Sequence, residues 1–482
     1  MAKNFKVDES KLVKLETALN ELRIKSMPIG GLLAGTLLIE LLNGSRAWGW
    51  KVRTQDIMAS FNLKYRSKRA YFQASGSREA LLKLGLNKGL LSFISERSHL
   101  LNINKTIWSC EVQKPNGLIF KKKLTGSLPA KAHQFLFGPK DLLPIAYPVW
   151  RKAYREIEHE VKLTLKNFCR ENSLPKYVAR RLENRLMEQS QALLAFQKSL
   201  MVLKPAYVVV EHDRYSLTSP LIIAANSLDI ATFTMMHGAV NFRFGYLPLL
   251  ADYLLCWGYR QKKMLGFLGG PSERMLISGA PQLSNKLIGD EEPLRSRISL
   301  KPNQKLVVLG TNPLTVELRT DLVQLFGSAL EGQHLVQGLI RLHPSESKME
   351  YQTQIEDYPH LIFDDGSLFT FEESLSVADM VCVYNSAYGL DAIIKGKPLC
   401  VLNISEAFLG QGKDFIDYGS FPEMKSIRDF EVFLERWLND SALQEEVRIL
   451  STNYAKEYCA SFGEDAAKRS IEIFRSSSKP KS

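Results

Sequence analysis

Two clusters of residues could do chemistry in this chain of 482 residues, and each follows short apolar runs. In the first, Glu211-His212-Asp213-Arg214 comes directly after Tyr207–Val210, and Met236-His237-Gly238 comes directly after Ala231–Met235. Four ionisable side chains straight after an apolar strand make poor core and suit either a surface turn or an active-site loop. If the two strands are neighbours, His212, Asp213 and His237 converge on one rim, where one of them could deprotonate a hydroxyl as general base. In the second cluster, Leu342-His343-Pro344-Ser345-Glu346 closes one apolar run, and Tyr384-Asn385-Ser386-Ala387 ends another and opens a helix-like segment. A strand that gives way to a helix at Asn385, Ser386 and Ala387 leaves backbone N–H groups pointing outward with a hydroxyl beside them. With the helix dipole, these favour a phosphate or carboxylate; Ser and Asn are equally favoured as plain helix caps. Pro344 stops the strand at 339–342 from running on into a helix and holds His343 at the exit. The imidazole there could donate to a phosphate, stabilise a leaving one when protonated, or serve as a structural hydrogen-bonder. Arg341 lies two residues earlier on the same strand face. Asp391, five residues after Ser386, could accept from both hydroxyls of a ribose or be a solvated helix carboxylate.

Side chains at strand exits need parallel strands to hold them. Tyr207–Val210, Ala231–Met235, 254–257 and 274–278 read as strands alternating with helical segments such as 220–227. A second series at 305–309, 339–342, 361–363, 380–384 and 398–402 does the same. Such alternation indicates βαβ units and parallel sheets, whose ligands bind beyond the carboxyl ends of the strands. The expected fold class is α/β: two Rossmann-like domains facing a cleft, with a mostly helical N-terminal extension. The expected units are 1–200, a helical or α+β extension that merges into the first domain; 201–290, the Rossmann-like part of that domain; 300–440, the second Rossmann-like domain; and 441–475, a C-terminal helix. Within the extension, helical patterns at 8–24, 32–43 and 77–95 give way to a hairpin, 107–113 with 118–124. Lys114-Pro115-Asn116-Gly117 supplies its turn residues. Helices follow at 146–171 and 176–202, and 287–303 reads as a linker.

Composition narrows the class. With 45% hydrophobic and 24% charged residues the chain is globular, neither disordered nor membrane-spanning throughout. A net charge of +12 implies an acidic partner. The basic clusters are short and lack interleaved aromatics, which favours an anionic small substrate or membrane surface over nucleic acid. The six cysteines are scattered with no metal-finger spacing and suit a reducing compartment. Met1–Lys25 alternates charged and apolar residues and does not read as a signal peptide. The segment 27–42 is short for a span and carries Glu40, so it reads as a buried helix, with docking at a membrane interface left open. The expected location is cytoplasmic, with peripheral association at the inner membrane face as the open variant. No P-loop, HExxH or GxSxG signature occurs, and Asp364-Asp365-Gly366 reads as a turn.

Taken in order, these motifs resemble those of bacterial GT-B glycosyltransferases that build capsule and other surface polysaccharides. That group includes polysialyltransferase-like and capsular Kdo-transferase-like enzymes and the CDP-glycerol glycerophosphotransferases. His237-Gly238, Pro248 through Ala251-Asp252, Cys256-Trp257-Gly258 and Gly279-Ala280-Pro281 look like the pattern of their first domain. His343-Pro344, Ala378-Asp379, Asn385-Ser386, Asp391-Ala392 and Gly396-Lys397-Pro398 look like the motifs of their nucleotide-binding second domain. The resemblance covers about 205–475. It implies an inverting, metal-independent transferase with no cofactor beyond its substrate, moving a sugar from a nucleotide-sugar donor, CMP-linked by preference, to a glycan or lipid-linked acceptor. His343, Pro344, Asn385, Ser386, Ala387 and Arg341 would hold the donor phosphate and Asp391 its ribose, with His237, Asp213 or His212 as base. It also implies that the last helix packs back on the first domain. A sugar-nucleotide epimerase-like enzyme, or a non-catalytic protein of this fold that binds glycan or membrane, are the alternatives. Asp391 stands where such families usually carry Glu, and Gln282-Leu283-Ser284 replaces the more usual Arg-Phe-Asp.

Overall fold

The computed structural model describes residues 147–477 apart from 175, 204, 211, 214–217, 237, 239, 241–245, 282, 284–286, 288–290, 405–410 and 420. Of the first 146 it describes 14, 15, 17–19, 21–24, 27–33, 89–92, 117–120 and 136–137. The expected α/β class is found, as two parallel sheets. The first is seven-stranded and contains β1 (Gly89–Ser92), β2 (Gly117–Phe120), β3 (Leu136–Phe137), β4 (Tyr207–Val210), β5 (Ala231–Met235), β6 (Tyr253–Cys256) and β7 (Met275–Ile277), in the order β3-β2-β1-β4-β5-β6-β7. The second is six-stranded and contains β8 (Lys305–Gly310), β9 (Val336–Arg341), β10 (Ile362–Asp364), β11 (Met380–Val383), β12 (Leu399–Leu402) and β13 (Glu423–Met424), in the order β10-β9-β8-β11-β12-β13. Counted from its own first strand, the second sheet runs 3-2-1-4-5-6, the doubly wound order, and the first runs the same with a seventh strand added at the end. The direction of winding reverses between β1 and β4 in one sheet and between β8 and β11 in the other. Every residue of β4, β5, β11 and β12 is buried, as strands covered on both faces require.

Two elements of the extension differ from those expected. Residues 89–92, expected inside a helix, and 117–120, expected in a hairpin arm, are adjacent parallel strands, Leu90 opposite Leu118. Leu90 also lies opposite Val208, so the extension contributes strands to the first sheet. The partner arm 107–113 lies outside the described residues, as does 34–42 of the apolar segment. Ile29, Leu32 and Leu33 at the start of that segment are buried in the core. Helices α1 (Tyr147–Glu171) and α2 (Lys176–Leu203) follow, and α2 packs on α3 (Thr218–Asn226).

The C-terminal part, expected as one helix, is two: α4 (Ser441–Tyr458) and α5 (Gly463–Ser476). Between them Cys459-Ala460-Ser461-Phe462 crosses onto the first domain. Ala460 N–H donates to Trp257 O (2.9 Å), Ala280 N–H to Ser461 O (2.8 Å), and Gly463 N–H to Ala280 O (3.2 Å). Phe474 of α5 then packs on Phe233 and Tyr207, ring centroids 5.0 and 5.3 Å away. Two glycines make room for the crossing. A Cβ on Gly258 would overlap the backbone carbonyls of Glu457 and Tyr458; Gly279, at φ +86°, lies against Ser461. Trp-Gly and Gly-x-Pro therefore mark where the returning chain docks.

Both Ala-Asp motifs are also architectural. Asp252, just before β6, accepts from the N–H of Thr232 in β5 (2.9 Å), and Asp379, just before β11, accepts from the N–H of Leu306 in β8 (2.8 Å). Arg274 donates to the backbone beside the first and Arg295 to the carboxylate of the second (2.9 Å). Each Asp thus fixes the register of a central strand pair at the end away from the strand exits. Gly258→Ala should destabilise the fold by about 2 kcal/mol or more, because the obstructing atoms are backbone. Urea unfolding checks this; an unchanged midpoint would contradict the docking role.

Candidate functional site

The second sheet reverses winding between β8 and β11, and the chain just beyond those strands meets at one residue. Thr311, almost fully buried directly after β8, donates its N–H to Arg341 O at the end of β9 (3.0 Å). Its hydroxyl accepts from the N–H of His343 (2.9 Å) and lies 2.5 Å from Glu346 Oε2. Its carbonyl accepts from Ser386 Oγ, just beyond β11 (2.9 Å). Three strand exits are joined through a single threonine, which the sequence reading missed. The signal was present: Thr311-Asn312-Pro313 follows the first strand of the second series, beside the reversal where ligands bind.

Glu346 completes the join. Its Oε2 accepts from His343 N–H (3.1 Å) and its Oε1 from Tyr351 OH (2.8 Å). Burial and the charge of Glu346 raise the Tyr351 phenol, keeping it protonated as a donor. His343-Pro344-Ser345-Glu346 is a closed turn, with Glu346 N–H on His343 O (2.8 Å) and proline at the second position, which suits its fixed φ. Ser386 caps α6 (Ala387–Ile394) by accepting from Tyr388 N–H (3.3 Å), so its hydroxyl is turned into the protein. Asn385 is partly exposed and Ala387 exposed at the start of this helix, whose first amides have no intrahelical acceptor.

Arg341 and Asp391, expected on the phosphate and the ribose, lie at the end of β9 and on α6. Arg341 Nη1 is 2.6 Å from both Asp364 Oδ2 and Phe369 O, with Asp364 fully buried. Its charge is paired with Asp364, and it braces the turn at Asp364-Asp365-Gly366. Asp391, on α6, is partly exposed. Burial first, and Glu372 second, push its carboxyl from 3.8 up to about 7, against the opposing pull of Lys395. Lys395 itself pairs with Glu372 (2.6 Å).

In the first domain, Asp213, one of the residues expected as a base, is tied to the backbone. It is almost fully buried, and its Oδ2 accepts from the N–H of Leu250 (2.8 Å) and of Ala251 (3.2 Å). A carboxylate engaged by two amides holds the lead into β6 in place. His212 is partly exposed just past β4, and His237 lies outside the described residues. β4 and β5 are neighbours, as the convergence of these histidines requires. Among the described residues, no group of three His, Cys, Asp or Glu side chains could hold a metal ion.

The domains meet beside this region. Arg260, just past β6, donates through Nε and Nη2 to both carboxylate oxygens of Asp414 (2.8 and 2.6 Å), in the helix Gln411–Tyr418 that follows β12. Tyr454 of α4 donates to the same carboxylate, and the guanidinium lies over the rings of Tyr418 and Tyr454 (4.8 and 5.1 Å).

No family model matches the chain, and no curated protein matches it. Solved structures do. A glycosyltransferase from Rickettsia africae is 9% identical, with 81% of this chain and 98% of that one covered at a TM-score of 0.50. The UDP-GlcNAc 2-epimerase from Neisseria meningitidis, solved with UDP-GlcNAc bound, is 12% identical, with 81% and 100% covered at a TM-score of 0.50. Each match runs through nearly all of the other chain. The fold is GT-B. Identities this low carry the fold alone, and about a fifth of this chain lies outside each match.

The raised carboxyl of Asp391 has a stability signature. Below its ordinary value both folded and unfolded chains hold the proton, so it has no effect. Between there and about 7 the folded chain retains a proton the unfolded chain has lost, so stability falls as pH rises, and the loss is complete above that range. Asp391→Asn should match the native protein near pH 4 and exceed it by about 2 kcal/mol near pH 8, allowing for partial solvation. Urea unfolding at several pH values reads this; a difference independent of pH would contradict it.

Proposed function

We propose that the protein is a sugar-nucleotide enzyme, and that its reaction is glycosyl transfer. The observation that carries this is the junction at Thr311, which brings the exits of β8, β9 and β11 together where the second sheet reverses winding. Doubly wound sheets bind nucleotides at that place. His343 and the first amides of α6, from Asn385 to Ala387, would take the donor phosphates, and Asp391 would meet the ribose. An acceptor hydroxyl would lose its proton to His237 or His212 and attack the anomeric carbon, while the bond to the nucleotide breaks and the charge remains on the departing phosphate. Donors placed at that oxygen lower the barrier. Pro344 shapes the His343 turn, and Ser386 and Arg341 support the site without touching the donor.

The ligand named for one matched structure is UDP-GlcNAc, so uridine is favoured, and nothing supports the CMP-linked preference of the sequence reading. Glycosyl transfer is preferred to epimerisation because the ordered motifs of the chain resemble those of transferases. Epimerisation stays as the second reading, since an epimerase matches as well as a transferase. A surface-glycan or lipid-linked acceptor, at the inner face of a membrane, is the class the motif resemblance implies. The net charge of +12 is compatible with an anionic surface, and no helix among the described residues is long and apolar enough to cross a membrane.

Millimolar UDP should raise the melting temperature with or without magnesium, the stabilisation reaching about 2.7 kcal/mol at a hundred times Kd. His343→Ala should unfold where the native protein does and lose most of that shift. No shift with UDP, CMP, CDP or GDP would defeat the proposal.

A further inference from the structure

We propose that Ser345 is a positioning residue that fixes His343 as a neutral imidazole protonated on Nε2, so that it meets a phosphate as an uncharged N–H donor. The phosphate contact rests on the function proposed above; the protonation state stands on the geometry of the turn. The His343 ring folds back over its own turn, with the backbone nitrogen of Ser345 3.1 Å from Nδ1 and Ser345 Oγ 2.7 Å from the same atom. A backbone N–H can only donate. Nδ1 must therefore present its lone pair, and the hydroxyl, which can rotate, is free to donate alongside. A neutral imidazole has one donor and one acceptor nitrogen, so its proton sits on Nε2. An imidazolium would set an N–H against the amide of Ser345 and break this arrangement.

The turn that imposes the contact is held from several sides. Glu346 N–H closes it on His343 O (2.8 Å), and Thr311 and Glu346 together accept from His343 N–H (2.9 and 3.1 Å). The geometry is that of a side-chain turn, in which the residue's own acceptor takes the N–H two positions on. Pro344 between them carries no N–H to compete and fixes the backbone that brings Ser345 under the ring. The carboxylate nearest in sequence, Glu346, takes hydrogen bonds from His343 N–H, Thr311 and Tyr351 OH. The leaving phosphate would thus be stabilised by a dipole whose strength does not depend on protonating the ring.

Long-range proton–nitrogen correlation on protein carrying ¹⁵N-histidine tests this directly. The chain has 8 histidines, and the signals missing from His343→Gln identify the one in question. The expected pattern near pH 7.5 is unprotonated Nδ1 and protonated Nε2, before and after adding UDP. A proton on Nδ1, or an imidazolium, overturns the proposal, and because this reading is made on the free protein it stands apart from any failure to bind nucleotide. A second arm uses thermal shift by UDP. The side-chain amide of Gln reaches where Nε2 lies and that of Asn does not, so His343→Gln should retain UDP affinity within about tenfold while His343→Asn loses it. Ser345→Ala should weaken UDP by about three- to tenfold, and Ser345→Thr should restore it. Equal losses in His343→Gln and His343→Asn would count against the donor role.

Discussion

Asp414 accepts from Arg260 of the first domain and from Tyr454 of the returning helix, and it belongs to the second domain itself. Three parts of the chain are therefore committed to one buried carboxylate. Burial of these charges would be costly alone and is compensated by bidentate geometry and by two tyrosine rings beneath the guanidinium. The arrangement is possible only because Gly258 lets the chain at Tyr458 approach the end of β6. Everything proposed for the cleft depends on this contact, since it sets how the strand exits of one sheet stand to those of the other.

Within the second domain Thr311 plays the corresponding part on a smaller scale. It is one short side chain, yet its N–H, hydroxyl and carbonyl each serve a different strand exit. Of the expected phosphate ligands, Ser386 donates to Thr311 O and Arg341 is paired with Asp364. What remains presented is the His343 turn and the start of α6, a site of N–H donors rather than of net positive charge. Such a site costs little to preorganise, because its donors are already fixed by the turn and the helix.

The sheets were legible in the sequence where the strands are buried on both faces. Every residue of Tyr207–Val210 is buried, as is every residue of Lys305–Gly310 after Lys305, so the apolar run itself reveals them. Gly89-Leu90-Leu91-Ser92 was not legible, since leucine favours helices and only pairing with β2 and β4 makes it a strand. The motifs of the candidate site were visible as motifs, but several mean something other than ligand contact. Trp257-Gly258, Gly279-Ala280-Pro281 and the Asp of both Ala-Asp pairs hold strands or receive the returning chain. A sequence records that these residues matter and not whether a ligand or a neighbouring backbone is the reason. Thr311 shows the reverse case: a residue of ordinary type whose role comes entirely from the strand order.

The central claim is that a sugar nucleotide binds where β8, β9 and β11 end. Hydrogen–deuterium exchange with and without saturating UDP tests it most directly. The account expects protection in peptides covering 311–315, 342–346 and 384–389, with the first sheet little changed. Protection confined to the first domain, or binding of UDP that leaves those three segments exchanging as before, would contradict it.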